Sequence, residues 1–214
     1  MRPVRACVLC LCLIGAGAGG ARAQEPPPRI GPIAVDLHGV VAKFGDDPQL
    51  AASRGLGRAE LPGPGFGASA AVSLYLPKVV GVTVGLGAHA VVARSATSPD
   101  ALLSLRPVTE TFKAVSPQVS LNFGSGNGWS YLSVGVGRAV WSIVPEGGTP
   151  LPADEAVLDT IDYGGGARWF AKKHLAFSLD VRVYEIPAGQ PVLDLPGSPR
   201  TRLLVIGAGV SLKP

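Results

Sequence analysis

Five ionisable residues stand in stretches otherwise built from apolar and small side chains: Asp36 and His38, Arg168, and Asp180 with Arg182. Charges removed from water must pair or neutralise, so two aspartates and two arginines in such settings point to an ion-paired, hydrogen-bonded network. A structural plug is the main expectation, and a gated pore using the same residues is the functional alternative. Catalytic chemistry is thin. Of the three histidines, His38 and His89 lie in apolar segments, whereas His174 sits beside Lys172 and Lys173 in a turn. That turn reads as a solvated surface, with contact to anionic headgroups as its functional alternative. No Gly-x-Ser-x-Gly elbow or His-Glu-x-x-His run occurs. Gly85-Leu-Gly87, Gly135-Val-Gly137 and Gly164-Gly-Gly166 lack the Gly-Lys-Ser/Thr and helix start of a phosphate loop. The expectation is therefore no enzyme activity, no catalytic residue, no metal and no cofactor.

The elements that hold these residues alternate with period two. Strands are predicted at 33–44, 65–76, 79–93, 112–123, 129–141, 158–170, 175–186 and 201–213. In the second, Phe66, Ala68, Ala70, Val72, Leu74 and Leu76 oppose Gly67, Ser69, Ala71, Ser73 and Tyr75. In the seventh, Leu175, Phe177, Leu179, Val181 and Val183 oppose Ser178, Asp180, Arg182 and Tyr184. Alternation over about ten residues is the pattern of a transmembrane strand, apolar side toward lipid. With the apolar faces outward, Asp36, His38, His89, Gln118, Asn122, Arg168, Asp180 and Arg182 point into a lumen. In the fifth strand Leu132, Val134 and Val136 take the lipid face, which sends Arg138 outward and Trp141 inward. A bulge near Gly137 would reverse both, and the pattern leaves the choice open.

The connections also alternate. Asp46 to Pro64, Ser95 to Thr111, Ser142 to Val157 and Pro187 to Arg200 are long, while Pro77-Lys78, Gly124 to Gly128 and Ala171 to His174 are tight. A closed up-and-down barrel needs tight turns on one side and tolerates long loops on the other. Ahead of the first strand, Arg2 and Arg5, the apolar run Cys7 to Ile14, and Ala21-Arg22-Ala23 form a cleavable export signal over 1–23. A proline-rich lead-in over 24–32 follows, and 33–214 is the barrel. Cys7, Cys10 and Cys12 all fall within the signal, leaving the exported chain without a thiol. Without Arg2, Arg5 and Arg22, the 19 basic and 15 acidic residues become 16 and 15, so nucleic-acid binding loses its electrostatic support. No later stretch has the 18 or more apolar residues of a membrane-spanning helix.

A soluble antiparallel barrel would alternate as well, with its apolar face inward. Here only 16% of residues are charged, and the non-apolar faces are glycine and serine rather than the lysines and glutamates of a solvated wall. The chain resembles the small eight-stranded outer-membrane β-barrels of the OmpA/OmpX type over essentially all of its exported length. The resemblance is carried by Tyr163-Gly-Gly-Gly-Ala-Arg-Trp-Phe170, by His174 to Tyr184 and by Val205 to Leu212. Such barrels commonly end on an aromatic residue, whereas this chain ends Leu212-Lys213-Pro214. The resemblance implies an all-β, eight-stranded antiparallel up-and-down transmembrane barrel in the outer membrane, with short periplasmic turns and long extracellular loops. Phe66, Trp129, Trp141, Tyr163 and Trp169 lie near predicted strand ends and are candidate interfacial aromatics.

The main functional expectation is a non-enzymatic barrel with a polar, ion-paired lumen and loops for structural, adhesive or protective surface contact. Its partners would be outer-membrane lipid and lipopolysaccharide, the assembly machinery and an extracellular partner. Mixed charges including Asp46, Asp47, Arg54, Arg58, Glu60, Asp154 and Glu155 make those loops adaptable surfaces. The alternative is a channel, transporter or lipid-modifying enzyme for small or lipid substrates. An apolar cavity in the outer third, or a serine within reach of a histidine, would favour it. A soluble lipocalin-like carrier would need apolar residues pointing inward.

Overall fold

The computed structural model describes residues 31–213 apart from 77–80, 99–105, 126 and 193. The predicted export signal (1–23) and nearly all of the predicted lead-in (24–32) therefore lie outside the described residues. So does the Pro77-Lys78 turn. Eight antiparallel strands pair in sequence order and close with the first against the last. They are β1 (Ile33–Lys43), β2 (Gly65–Tyr75), β3 (Val82–Ala96), β4 (Val108–Ser125), β5 (Gly128–Pro145), β6 (Val157–Lys172), β7 (Leu175–Ile186) and β8 (Thr201–Leu212). β4 starts earlier and β5 ends later than the alternation suggested. Their hairpin stands tall at the long-loop end, where Val108, Phe112 and Ile143 gain an apolar partner surface inside.

The wall is staggered. Stepping from partner to partner, Ile33 leads through Leu74, Leu86, Val119, Val134, Tyr163, Val183 and Leu204 to Lys43, ten residues further along β1. A level contour must climb that same stagger in one circuit. One outward residue per strand does so: Lys43, Phe66, Arg94, Lys113, Arg138, Asp159, Glu185 and Arg202. Each is directly opposite the next or two residues from it. Seven of the eight are charged, so together they form a level ring around the outside.

Below the ring, down to Phe123, Trp169 and Phe177, the outward residues of the described strands carry no charge. Lys43 lies ten residues along β1 from Ile33. At 3.3 Å per residue and a tilt of about 40°, this band is roughly 25 Å tall. Leu37, Leu132, Val136, Phe177 and Leu179 are all about half exposed or more on it.

The fifth strand keeps one parity throughout. Its register with β4 is the same from Val108↔Pro145 to Ser125↔Gly128, so there is no bulge at Gly137. Arg138 faces out and Trp141 faces in. The wall's one register shift among the paired strands falls between Phe170 and Lys172, at the short-turn end.

Inside, the barrel has three layers. Trp129, Phe170 and Ala176 pack at the short-turn end. The polar residues fill the middle. Above them Val40, Val91, Phe112, Trp141, Tyr184, Leu203 and Val205 form an apolar core with Leu50, Ala51, Leu56 and Leu61 of the β1–β2 connection. That connection folds back into the mouth rather than standing off it. Pro48 and the Asp47 side chain, which accepts from the Gln49 N–H at 2.7 Å, start the short helix α1 (Pro48–Ala52). Leu50 and Ala51 of that helix are fully buried.

Candidate functional site

The middle layer collects residues from six strands. Asp36 of β1 accepts two bonds from Arg168 of β6, at 3.0 Å from Nε and 2.7 Å from Nη2, and a third from the Ser211 hydroxyl of β8. This bidentate geometry suits the planar guanidinium. Arg168 also reaches Asn122 at 3.4 Å and lies over the Tyr131 ring at 4.3 Å, a cation–π contact. Arg182 of β7 pairs with Asp162 of β6, contacts Asp180 at 3.4 Å and donates to Ser133 at 3.0 Å. Tyr131 links the two halves by donating to Asp180 at 2.6 Å. Every group named is buried.

Glycine makes room for this network at two places. A Cβ on Gly166 would meet the Tyr131 hydroxyl at 2.5 Å, and one on Gly135 would meet the Asp162 carboxylate at 2.6 Å. The small inward residues are therefore the space into which the long ones extend.

All five predicted network residues share this layer. His38 also bonds Ser178 at 2.7 Å, a nucleophile-to-base distance. The cavity beside it holds about 10 Å³, room for about one water and no substrate. His89 bonds Tyr184 at 3.0 Å on the upper edge of the layer, and Gln118 is buried close by. His174 is apart from them, exposed at the β6–β7 turn with Nδ1 3.0 Å from the Lys213 carbonyl. Asp162, Tyr131, Ser133, Ser178 and Ser211 complete the network and were not singled out from sequence. Asp162 shares the inward parity of Gly164, Gly166 and Arg168, which is the signal that could have found it.

Three expectations are corrected. Trp129 and Trp141 are not interfacial: both point inward and are buried, Trp129 in the bottom layer and Trp141 donating to Glu110 at 2.7 Å. Near a strand end, parity decides the face, and both residues are on the inward rows. Phe66, Tyr163 and Trp169 do face outward. The polar lumen is limited to the middle layer, because the mouth is filled by an apolar loop. Finally, Arg54 and Asp154 are not surface charges. They form a buried 2.8 Å ion pair joining the β1–β2 loop to the short helix α2 (Pro152–Glu155) of the β5–β6 loop. Asp154 also accepts from the Ile143 and Leu151 N–H groups.

No protein-family model matches the sequence, and no curated protein matches it. Among solved structures, the chain is similar to Neisserial surface protein A, at 12% identity and a TM-score of 0.55, covering 86% of this chain and 97% of that one. It is also similar to Ail, the attachment invasion locus protein of Yersinia pestis, solved in complex with the heparin analogue sucrose octasulfate. There the identity is 12% and the TM-score 0.50, covering 84% of this chain and 97% of Ail. The chain has the fold of the small eight-stranded outer-membrane β-barrels. In a barrel of this width the lumen is just wide enough for its own side chains. The network and the loop plug fill it along its length.

Proposed function

We propose that the protein is an integral outer-membrane barrel without enzymatic activity. It anchors four long connections at the cell surface for structural or adhesive contact. The observation that carries this reading is the outer wall: a charge-free band roughly 25 Å tall, capped by a level ring of charge. That height suits the hydrocarbon thickness of an outer membrane. A water-exposed wall of this composition would be a very large apolar patch.

The interior supports a structural role for the ionisable residues. Asp36–Arg168 ties β1 to β6 across the lumen, Arg182 joins Asp162 of the adjacent β6 and Asp180 of its own strand, and His38–Ser178 lies where no substrate fits. The β1–β2 loop, latched by Arg54–Asp154, covers the mouth. Similarity to a neisserial surface protein and an attachment protein is in keeping with this reading. The partners are outer-membrane lipid and lipopolysaccharide, the assembly machinery that inserts such barrels, and an extracellular partner.

Two measurements test it together. Unheated membrane-extracted protein should migrate differently from boiled protein on SDS gels, and the refolded barrel should give no stepwise conductance in planar bilayers. An unshifted band from a soluble periplasmic protein would overturn membrane integration. Conductance steps would move the role to a pore gated by the β1–β2 loop.

A further inference from the structure

The ring is lopsided. Passing round it from Arg202 through Lys43, Phe66, Arg94 and Lys113 to Arg138, every charge is positive; Asp159 and Glu185 fill the remaining arc. The acids engage the ends of the cationic arc, Arg202 at 2.7 Å from Glu185 and Arg138 at 3.6 Å from Asp159. Lys43, Arg94 and Lys113 in the middle have no ion-pair partner among the described residues. Arg94 reaches only the Thr109 hydroxyl, at 3.4 Å.

Arg94, Lys113 and Arg138 stand on three successive strands as diagonal neighbours: Arg94 is opposite Thr111, and Lys113 is opposite Val92 and Val140. Like charges so placed repel one another; Asp159 engages Arg138 at 3.6 Å, while Arg94 and Lys113 have no acid paired with them among the described residues. Next to them the wall is concave. A groove of about 610 Å³ runs over Leu37, Ala68, Ala70, Ala90, Val92 and Val115, with Lys113 and Arg138 on its margin. Alanines form its floor and the larger aliphatic residues its sides. An apolar channel beside an arc of uncompensated cations matches one class of molecule, an amphiphile with an anionic head and a hydrocarbon tail.

Resting on the membrane placement above, we propose that this face is a specific site for a phosphate-bearing lipid of the outer leaflet. Arg94, Lys113 and Arg138 hold the phosphate, and one acyl chain lies in the alanine-floored groove. Phosphate fits the arc because it presents several acceptor oxygens to separate donors, which one carboxylate does less well. The tail takes the groove because packing against alanine leaves it the width that a Leu or Val would occupy.

The test uses the refolded full-length exported chain in detergent micelles, with native mass spectrometry counting retained lipid. Phosphorylated lipid A is compared with its dephosphorylated form. One phosphorylated lipid should be retained in preference. The R94Q/K113Q pair should lower that retention about thirtyfold, since each cation near a lipid surface contributes on the order of one kcal/mol. Ala90→Phe, which fills the groove without touching a charge, should lower it as well. K172Q/K173Q removes the same charge at the opposite end and should leave retention unchanged. Heat-shifted gel migration verifies that each variant is folded. Equal retention of both lipids, retention indifferent to R94Q/K113Q, or displacement by millimolar inorganic phosphate would overturn the site. A chain that folds into vesicles yet shows no preference overturns only the lipid site, whereas one that fails to insert overturns the membrane reading too.

Discussion

The inward rows of the same eight strands carry charge in the middle of the barrel and hydrocarbon at its mouth. In the middle, Arg168 and Arg182 meet three aspartates, and the strands themselves supply every partner. At the mouth, Phe112, Trp141, Tyr184 and Leu203 meet Leu50, Leu56 and Leu61, which come from a loop. The difference follows from what can reach each level from inside. A closed wall surrounded by lipid cannot borrow a loop to fill its centre, so its space is taken by long side chains whose charges must pair. Nearer the open end the β1–β2 loop can reach in, and an apolar core running from Val40, Val91 and Val205 below the ring to Phe112 and Trp141 above it becomes the simpler filling.

The sharpest way to break this contrast is to remove one charge from the middle. Arg182→Met should leave Asp162 and Asp180 buried without their cation, and is expected to cost about 3–5 kcal/mol in urea unfolding of the micelle-folded barrel. A cost below 1 kcal/mol would mean that the middle layer is hydrated and not sealed. The contrast between wall faces is tested next. Leu179→Arg on the outward face should cost about 2–4 kcal/mol in a lipid-folding assay, and Leu179→Ala, which lipid tolerates, far less. Equal costs would undo the face assignment. Leu50→Ala then sharpens the comparison at the mouth. It should cost about 2 kcal/mol, the low end for a buried leucine because a loop can settle into the space. Hydrogen exchange should speed up around Phe112 and Leu203 while the middle layer stays protected. The smallest effect belongs to Glu110, the buried carboxyl that bonds Trp141 in the apolar layer. Burial pushes the Glu110 carboxyl up to about 8, so at pH 7 Glu110→Gln replaces a neutral group, keeps the acceptor for Trp141, and should change stability by less than about 1 kcal/mol. A loss of several at pH 7 would mean that the carboxyl is ionised there and has an unrecognised partner.

Strand number, connectivity and faces were legible because a period of two is enforced along every strand by the wall having two unlike sides. The inward positions of Asp36, His38, Arg168, Asp180 and Arg182 follow from that parity alone. Their bonding does not, because Asp36 and Arg168 are 132 residues apart and meet only through the closure of the wall. In the fifth strand the ambiguity arose from expecting one chemistry along the whole interior. Once the mouth is apolar, an inward Trp141 and an outward Arg138 need no bulge. The loop plug was hidden for a different reason. Leu50, Leu56 and Leu61 have no regular spacing, and Arg54 and Asp154 look like surface charges until their loops are brought together.

The most direct test is a depth profile along β3. Residues 24–214 contain no cysteine, so in that chain single cysteine substitutions at Leu86, Ala88, Ala90, Val92 and Arg94 can each carry one fluorescent label in lipid vesicles. The account predicts quenching by a lipid-soluble quencher from Leu86 to Val92 and a change to a water-soluble quencher at Arg94. Aqueous quenching at Ala88 or Ala90 would contradict it, because the charge-free band would then face water.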